Sequence, residues 1–126
     1  MEPLQIAPTN TTPTVKFDGA QGFFEIKGKS NPANTLDFYK LLYDWFDEYA
    51  KAPAALSDVH IQFEYFNTST SKCLLTLFKR FEDLSKTGKE VMINWHYEKG
   101  DEDMLEAGND FKSVIHLPFK LIEIPE

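Results

Sequence analysis

The alternation of apolar and polar residues divides the chain into short strands and longer helices. Within residues 23–29, Phe24 and Ile26 alternate with Glu25 and Lys27, which predicts a half-buried strand. A turn that contains two glycines joins this segment to residues 14–18, and the pair is a predicted hairpin. β-Branched and aromatic runs predict three more strands, at residues 59–66, 90–97 and 116–124.

Three segments carry the periodicity of helices, at residues 33–51, 69–87 and 101–114. In the first of them the charged side chains share one narrow arc, and the remaining apolar arc is about twice the width that a one-sided surface helix needs. The centre of that apolar arc is expected to face the core; it consists of Phe38, Leu42, Trp45, Phe46 and Tyr49. Its flank, formed by Leu36, Tyr39 and Tyr43, is either a partner surface or a contact with the N-terminal arm.

The elements follow the order β-β-α-β-α-β-α-β, which predicts an α/β domain with a mostly parallel mixed sheet. Residues 1–13 are rich in Pro, Thr and Asn and are expected to be an irregular arm, so residues 14–126 form the single domain. Ligand and partner sites in such sheets gather beyond the carboxyl ends of the strands. Three loops should meet there, at residues 29–34, 67–71 and 98–103.

Composition narrows the possible partners. The net charge of −7 argues against nucleic acid and against an anionic membrane surface. No apolar run approaches the ~18 residues of a membrane span. The one cysteine, Cys73, permits no internal disulfide and is expected to pack inside a helix, so we expect a cytoplasmic protein. Neither a cofactor nor a bound metal is expected.

A turn of four consecutive hydroxyl residues, Thr68 to Ser71, separates the strand at 59–66 from the second helix. Hydroxyls at a helix start lie beside unpaired backbone N–H groups, where an added phosphate is well received. The turn contains neither the glycines of a phosphate-cradling loop nor a histidine that could activate a nucleophile. These features favour a regulatory phosphosite over a catalytic centre, although the residues alone favour Thr68 and Ser69 as caps of the helix.

The element order resembles the STAS domain of anti-sigma-factor antagonists, in which the equivalent turn is phosphorylated by a partner kinase. The chain more specifically resembles the SiaC family of bacterial regulatory phosphoproteins. The shared blocks occur in order along nearly the whole chain: Tyr65-Phe66-Asn67-Thr68-Ser69 with Lys72, Trp95-His96-Tyr97, residues 102–106, and Pro118-Phe119. One departure is Lys29, where many relatives are expected to carry arginine, so a bidentate contact with an anion is not expected there.

This resemblance implies a non-catalytic partner switch. Thr68, with Ser69 as second candidate, would be phosphorylated by a cognate protein kinase and cleared by a PP2C-type phosphatase. The unmodified form would bind and activate a diguanylate cyclase, which raises cyclic di-GMP and promotes biofilm. The residues expected to contact the partner and to determine which partner binds are Lys29, Asn67, Ser69, Lys72 and Asp101.

Several alternatives stay open. In the first alternative, the chain is a constitutive interaction scaffold. In the second, it is a small hydrolase that uses Thr68 as nucleophile and His96 as base. His96 alternates with aromatic residues on a strand, which favours a structural histidine instead. Residues 101–103 are either ligands for the Mg²⁺ that accompanies a nucleotide or a solvated helix start.

Overall fold

A six-stranded sheet forms the centre of the fold, and the computed structural model describes residues 1–125. The strands are β1 (Leu4–Ile6), β2 (Thr14–Asp18), β3 (Phe23–Ser30), β4 (Leu56–Phe66), β5 (Glu90–Glu98) and β6 (Phe119–Ile124). They lie side by side in chain order. The strands β1, β2 and β3 pair antiparallel, whereas β3 to β6 are all parallel. The predicted α/β class and mostly parallel mixed sheet are confirmed.

Three helices connect the parallel strands: α1 (Thr35–Tyr49), α2 (Thr68–Ser85) and α3 (Glu102–Val114). Each lies in the chain between two strands that neighbour each other in the sheet. Asn34 caps α1 by accepting from the Asp37 amide, and Asp101 caps α3 in the same way. No helix within residues 1–125 is long and apolar enough to cross a membrane.

The first strand corrects the prediction of an irregular arm over residues 1–13. Residues 4–6 pair with residues 15–17 and extend the sheet by one strand. Leu4 and Ile6 pack against the core. Two apolar residues around one polar residue suffice for a short edge strand, but a run of this length between prolines gives a weak pattern in the sequence.

The three helices cover one face of the sheet. Alternate strand residues that point to this face are fully buried, among them Phe24 and Trp95. The Phe24 ring centroid lies 5.0 Å from Tyr49 of α1 and 5.2 Å from Phe81 of α2. Trp95 lies 5.4 Å from Phe111 of α3. The opposite face of the sheet carries mostly polar side chains, and no helix within residues 1–125 packs on it.

The core-facing side of helix α1 is shifted from the one predicted: Leu42, Phe46 and Tyr49 are buried as expected, but the buried stripe also takes in most of the predicted flank. Tyr39 is 0% exposed and Tyr43 is 7% exposed, whereas Phe38 and Trp45 are only half-buried. The prediction that both tyrosines lie on a partner surface is therefore wrong. Of that predicted flank only Leu36 lies at the surface, where the residue is 62% exposed.

Internal hydrogen bonds explain why the two tyrosines are buried. The Tyr39 hydroxyl lies 2.8 Å from Ser30 Oγ, and the Tyr43 hydroxyl donates to the Cys73 carbonyl at 2.8 Å. Burial raises the pKa of both phenols above its ordinary value, so both remain protonated donors. A tyrosine whose hydroxyl finds a partner inside the protein packs as a core aromatic residue.

Candidate functional site at the first turn of helix α2

The loops that follow β3 and β4 meet at the carboxyl edge of the sheet. Asn67, which directly follows β4, donates through Nδ2 to Asn31 Oδ1 at 2.8 Å. Its backbone N–H donates to the Ser30 carbonyl at 3.1 Å. These two bonds join the segment after β3 to the start of α2, as the topology of parallel strands predicts.

Asn67 is the N-cap of α2, since its side-chain oxygen accepts from the Thr70 amide at 2.8 Å. Thr68 and Ser69 are consequently the first two helical residues, and the prediction that one of them caps the helix is wrong. Both side chains are exposed. Thr68 forms no side-chain hydrogen bond within residues 1–125, so its exposed hydroxyl has no partner in the described structure.

Thr70, only two residues further on, is entirely buried. Its hydroxyl lies 2.8 Å from Ser30 Oγ and donates to the Ser30 carbonyl at 3.2 Å. Ser30 Oγ also contacts the Tyr39 hydroxyl. One proton arrangement satisfies every group: Tyr39 donates to Ser30, Ser30 to Thr70, and Thr70 to the Ser30 carbonyl. This buried chain holds the first turn of α2 against β3 and α1.

The charges around the two helix starts at this edge differ. The first turn of α2 contains no acidic residue, and exposed Lys72 lies one turn further along. The first turn of α3 carries Glu102 and Asp103. Asp101 accepts from the Met104 amide at 3.1 Å, which supports the interpretation of residues 101–103 as a helix start.

A partly apolar groove runs beside the hydroxyl turn, between α2 and α3. Its wider part has a volume of about 320 Å³ and contains Lys72, Leu75 and Val114 among its lining residues. A second hollow of about 280 Å³ continues past Tyr65 to Asp101. Phe66 and Ala107 line both hollows, so the two form one surface. Among the predicted partner residues, Lys72 and Asp101 therefore line the same groove, whereas Lys29 is exposed at the end of β3.

The structure does not bring His96 to Thr68. His96 alternates with Trp95, which faces the helices, so its side chain lies on the helix-free face of the sheet. There its Nε2 lies 3.0 Å from Nδ1 of His60. No hydrogen bond joins Thr68 to His96 within residues 1–125, and the hydroxyl–imidazole pair of the hydrolase alternative is not assembled.

Several residues that build the site were not predicted. Ser30, Asn31 and Thr70 act through contacts between segments about forty residues apart, which leave no periodic signal. Asn67 is the one site residue that the local sequence indicates, because an Asn just before a helix commonly caps it by accepting from the N–H three residues later. The contact between His60 and His96 was also missed, since parallel strands place distant residues side by side.

Comparison with known proteins supports a family assignment. Residues 6–124 match the family model described as SiaC family regulatory phosphoprotein. An uncharacterized protein of Pseudomonas aeruginosa (strain UCBPP-PA14) is 25% identical over 121 residues, which cover 96% of each chain.

Solved structures show the same fold. The crystal structure of apo-SiaC from Pseudomonas aeruginosa matches with a TM-score of 0.87 and 21% identity, covering 97% of this chain and 99% of that one. The crystal structure of the diguanylate cyclase SiaD in complex with its activator SiaC, also from Pseudomonas aeruginosa, matches with a TM-score of 0.89 and 24% identity, covering 96% and 99%. Because the family model also matches nearly the whole length of the sequence, the chain belongs to the SiaC family of regulatory phosphoproteins.

Proposed function

We propose that this protein is a non-catalytic partner switch that carries a reversible phosphate on Thr68. The observation that carries the proposal is the exposed hydroxyl of Thr68, which has no hydrogen-bond partner within residues 1–125. It lies at the first position of a helix whose first turn holds no acidic residue. Ser69 shares the exposure and is the second candidate. Buried Thr70 is inaccessible to a kinase.

A phosphate on Thr68 would change the surface in a defined way. It adds about −1.5 to −2 charges and three acceptor oxygens. The free N–H groups at the start of α2 and the Lys72 ammonium stabilise such a charge within the protein. A partner surface that fits the neutral hydroxyl would instead meet a charge it cannot compensate. The modification therefore acts by excluding a partner rather than by unfolding the helix.

The partner in the unmodified state is a diguanylate cyclase, and the output is control of cyclic di-GMP and biofilm. The relative named SiaC is the activator in a complex with the diguanylate cyclase SiaD, which supports this choice. We place the contact on the turn and the adjoining groove, with Asn67, Ser69 and Lys72 at its centre and Lys29, Asp101 and Leu36 at its rim. A cognate protein kinase and a PP2C-type phosphatase set the phosphate level in the cytoplasm.

The test is a calorimetric titration of the organism's diguanylate cyclase with three forms of the protein: unmodified, phosphothreonine at Thr68, and Thr68→Ala. The unmodified and Thr68→Ala forms should bind alike. Phosphate at Thr68 should weaken binding by more than a hundredfold, equivalent to about 3 kcal/mol. Cyclase activity measured in the same mixtures should follow the binding.

Thr87→Glu is the matched control, because this exposed hydroxyl residue lies just beyond the opposite end of α2. It should bind like the unmodified protein. Equal binding of the unmodified and phosphorylated forms would contradict the switch and support a constitutive scaffold.

A further inference from the structure

Two imidazoles contact each other on the helix-free face, on the central strands β4 and β5. His60 Nδ1 and His96 Nε2 are 3.0 Å apart, and their ring centroids are 5.3 Å apart. The separation of the two nitrogens is that of a direct hydrogen bond between the rings. Both side chains are half-buried, and the pair takes no part in the proposed switch at Thr68.

An acidic residue fixes which ring donates. Asp58 Oδ2 lies 3.0 Å from His60 Nε2, and an ionised carboxylate can only accept, so the proton of neutral His60 is on Nε2. Its Nδ1 therefore carries a lone pair, and the donor between the rings is His96 Nε2–H. Asn94 donates to Asp58 Oδ1 at 2.8 Å and to the Val59 carbonyl at 2.9 Å, which holds the carboxylate in place.

We propose that the hydrogen bond between His96 and His60 is a pH-sensitive clasp between β4 and β5, closed while His60 is neutral and open when both rings are protonated. A first proton can add to His96 Nδ1, which takes no part in the bond, and the clasp stays closed. A second proton can add only to His60 Nδ1. An imidazolium has two donors and no acceptor, so two protonated rings cannot bond each other. The two like charges then lie side by side, and the rings separate.

The charges on this face decide when the clasp opens. Burial and the neighbouring His60 lower the pKa of His96, and Lys27 on β3 acts in the same direction. Glu25, which pairs with His60, and Asp58 raise the pKa of His96. By the alternation of the strands, further charged side chains on this face include Lys16 and Asp18 of β2, Glu64 of β4, Glu90 and Glu98 of β5, and Lys120 of β6.

The direction of the pH effect follows from the lowered pKa of His96. In acid the folded protein binds fewer protons at this site than the unfolded chain does. The contribution of the clasp to stability is therefore complete above the ordinary histidine pKa of about 6.5 and is lost as the pH falls below it.

The first experiment follows the imidazole ¹⁵N signals of the wild-type chain by NMR from about pH 8, well above the ordinary histidine pKa, down to the onset of acid unfolding. At the start we expect a proton on Nε2 of both rings and a scalar coupling between His60 Nδ1 and His96 Nε2 across the hydrogen bond. The pair should take up its two protons in separate steps, and the coupling should vanish with the second. His116, exposed outside this cluster, should titrate in one step.

Matched variants separate the clasp from packing alone. An amide offers a donor and an acceptor at any pH, so His96→Gln and His60→Asn keep a hydrogen bond that acid cannot break. Urea denaturation of the wild type should show an unfolding equilibrium constant that rises more steeply below about pH 6.5 than in either variant, by up to about tenfold per pH unit for one proton. His116→Gln is the control and should follow the wild type.

Three results would overturn the proposal. These are the absence of the coupling at about pH 8, where His60 is neutral, a coupling that persists to the onset of acid unfolding, and a wild type whose pH dependence matches that of His96→Gln. The NMR titration needs no variant and holds even if one misfolds. Each outcome is independent of phosphate at Thr68.

Discussion

The first turns of α2 and α3 lie at the same edge of the sheet and are built alike, yet they differ in charge. Each begins with a short side chain that accepts from the third helical amide, Asn67 in α2 and Asp101 in α3. The α3 turn already holds two carboxylates, whereas the α2 turn holds exposed hydroxyls and no acid. A phosphate would repeat on α2 the favourable charge that α3 carries permanently. Both helices thus begin with a capped turn, and the absence of acidic side chains from the first turn distinguishes α2, where we propose the switch.

The two turns are also attached differently. The first turn of α2 is held by the hydroxyl chain through Thr70 and Ser30. Helix α3 is held at its first turn by Trp95, whose Nε1 donates to the Met104 carbonyl at 3.0 Å, and by close packing at Gly108. Four substitutions test this comparison, ordered by expected effect.

Gly108→Ala should have the largest effect. A Cβ at this position would lie 2.5 Å from Trp95 Cδ1 and 2.7 Å from Leu121 Cδ2, so helix α3 must move away from the sheet. We expect the free energy of unfolding to fall by about 3 kcal/mol, the upper end of typical overpacking costs. Urea denaturation measures this. The exposed neighbour Asn109 provides the control, because Asn109→Ala should change stability by less than about 0.5 kcal/mol. Equal stability of both variants would show that α3 is not closely packed against the sheet at Gly108.

Thr70→Val should lower the free energy of unfolding by about 2 kcal/mol, because it keeps the shape but leaves the Ser30 hydroxyl without its acceptor. Thr70→Ser retains the hydroxyl and should recover most of that loss. Urea denaturation and amide hydrogen exchange at residues 67–71 check both variants. If valine and serine behave alike, the buried hydroxyl chain does not hold this turn.

Asn67→Ala should cost about 1 kcal/mol, the usual value of an N-cap. Asp101→Ala removes the equivalent cap of α3 and serves as the matched comparison. We expect the Asn67 variant to lose somewhat more stability, since Asn67 also bonds Asn31. Thermal denaturation ranks the two, and the reverse order would argue against the Asn31–Asn67 contact as a restraint on the turn.

Thr68→Glu should have the smallest effect and the opposite sign. A carboxylate at the start of α2 should raise the free energy of unfolding by about 0.3–1 kcal/mol at low salt. Glu102→Gln on α3 should lower it by a similar amount, and Thr87→Glu, beyond the negative end of α2, should not stabilise. Measurement at low and high salt separates this charge effect from packing, because salt screens it. Destabilisation by Thr68→Glu at low salt would show that the α2 start does not favour negative charge.

Local patterns predicted the sheet and the three helices well, because periodicity and caps are properties of neighbouring residues. They failed where contacts between distant segments decide the structure. Tyr39 and Tyr43 were expected on a flank of α1 that either binds a partner or contacts the N-terminal arm, but their hydroxyls bond to Ser30 of β3 and to the Cys73 carbonyl of α2, and both side chains are buried. The first strand depended on pairing with residues 15–17 rather than on its own composition.

The candidate site, too, could be predicted where it depends on neighbouring residues but not where it depends on contacts between distant segments. The hydroxyl turn and its place after β4 could be predicted from the chain, since a strand followed by Asn-Thr-Ser-Thr-Ser is a local feature. Which hydroxyl is exposed could not, because the burial of Thr70 depends on Ser30, forty residues earlier. The contact between His60 and His96 likewise depends on the pairing of β4 with β5.

The most direct test of the central claim is intact-mass and fragment mass spectrometry on the protein purified from its native host, with phosphatases inhibited. The account predicts a single phosphate on Thr68, which is absent from Thr68→Ala and never found on Thr70. Absence of phosphate under all growth conditions in which the protein is expressed, or a phosphate that persists elsewhere in Thr68→Ala, would contradict it.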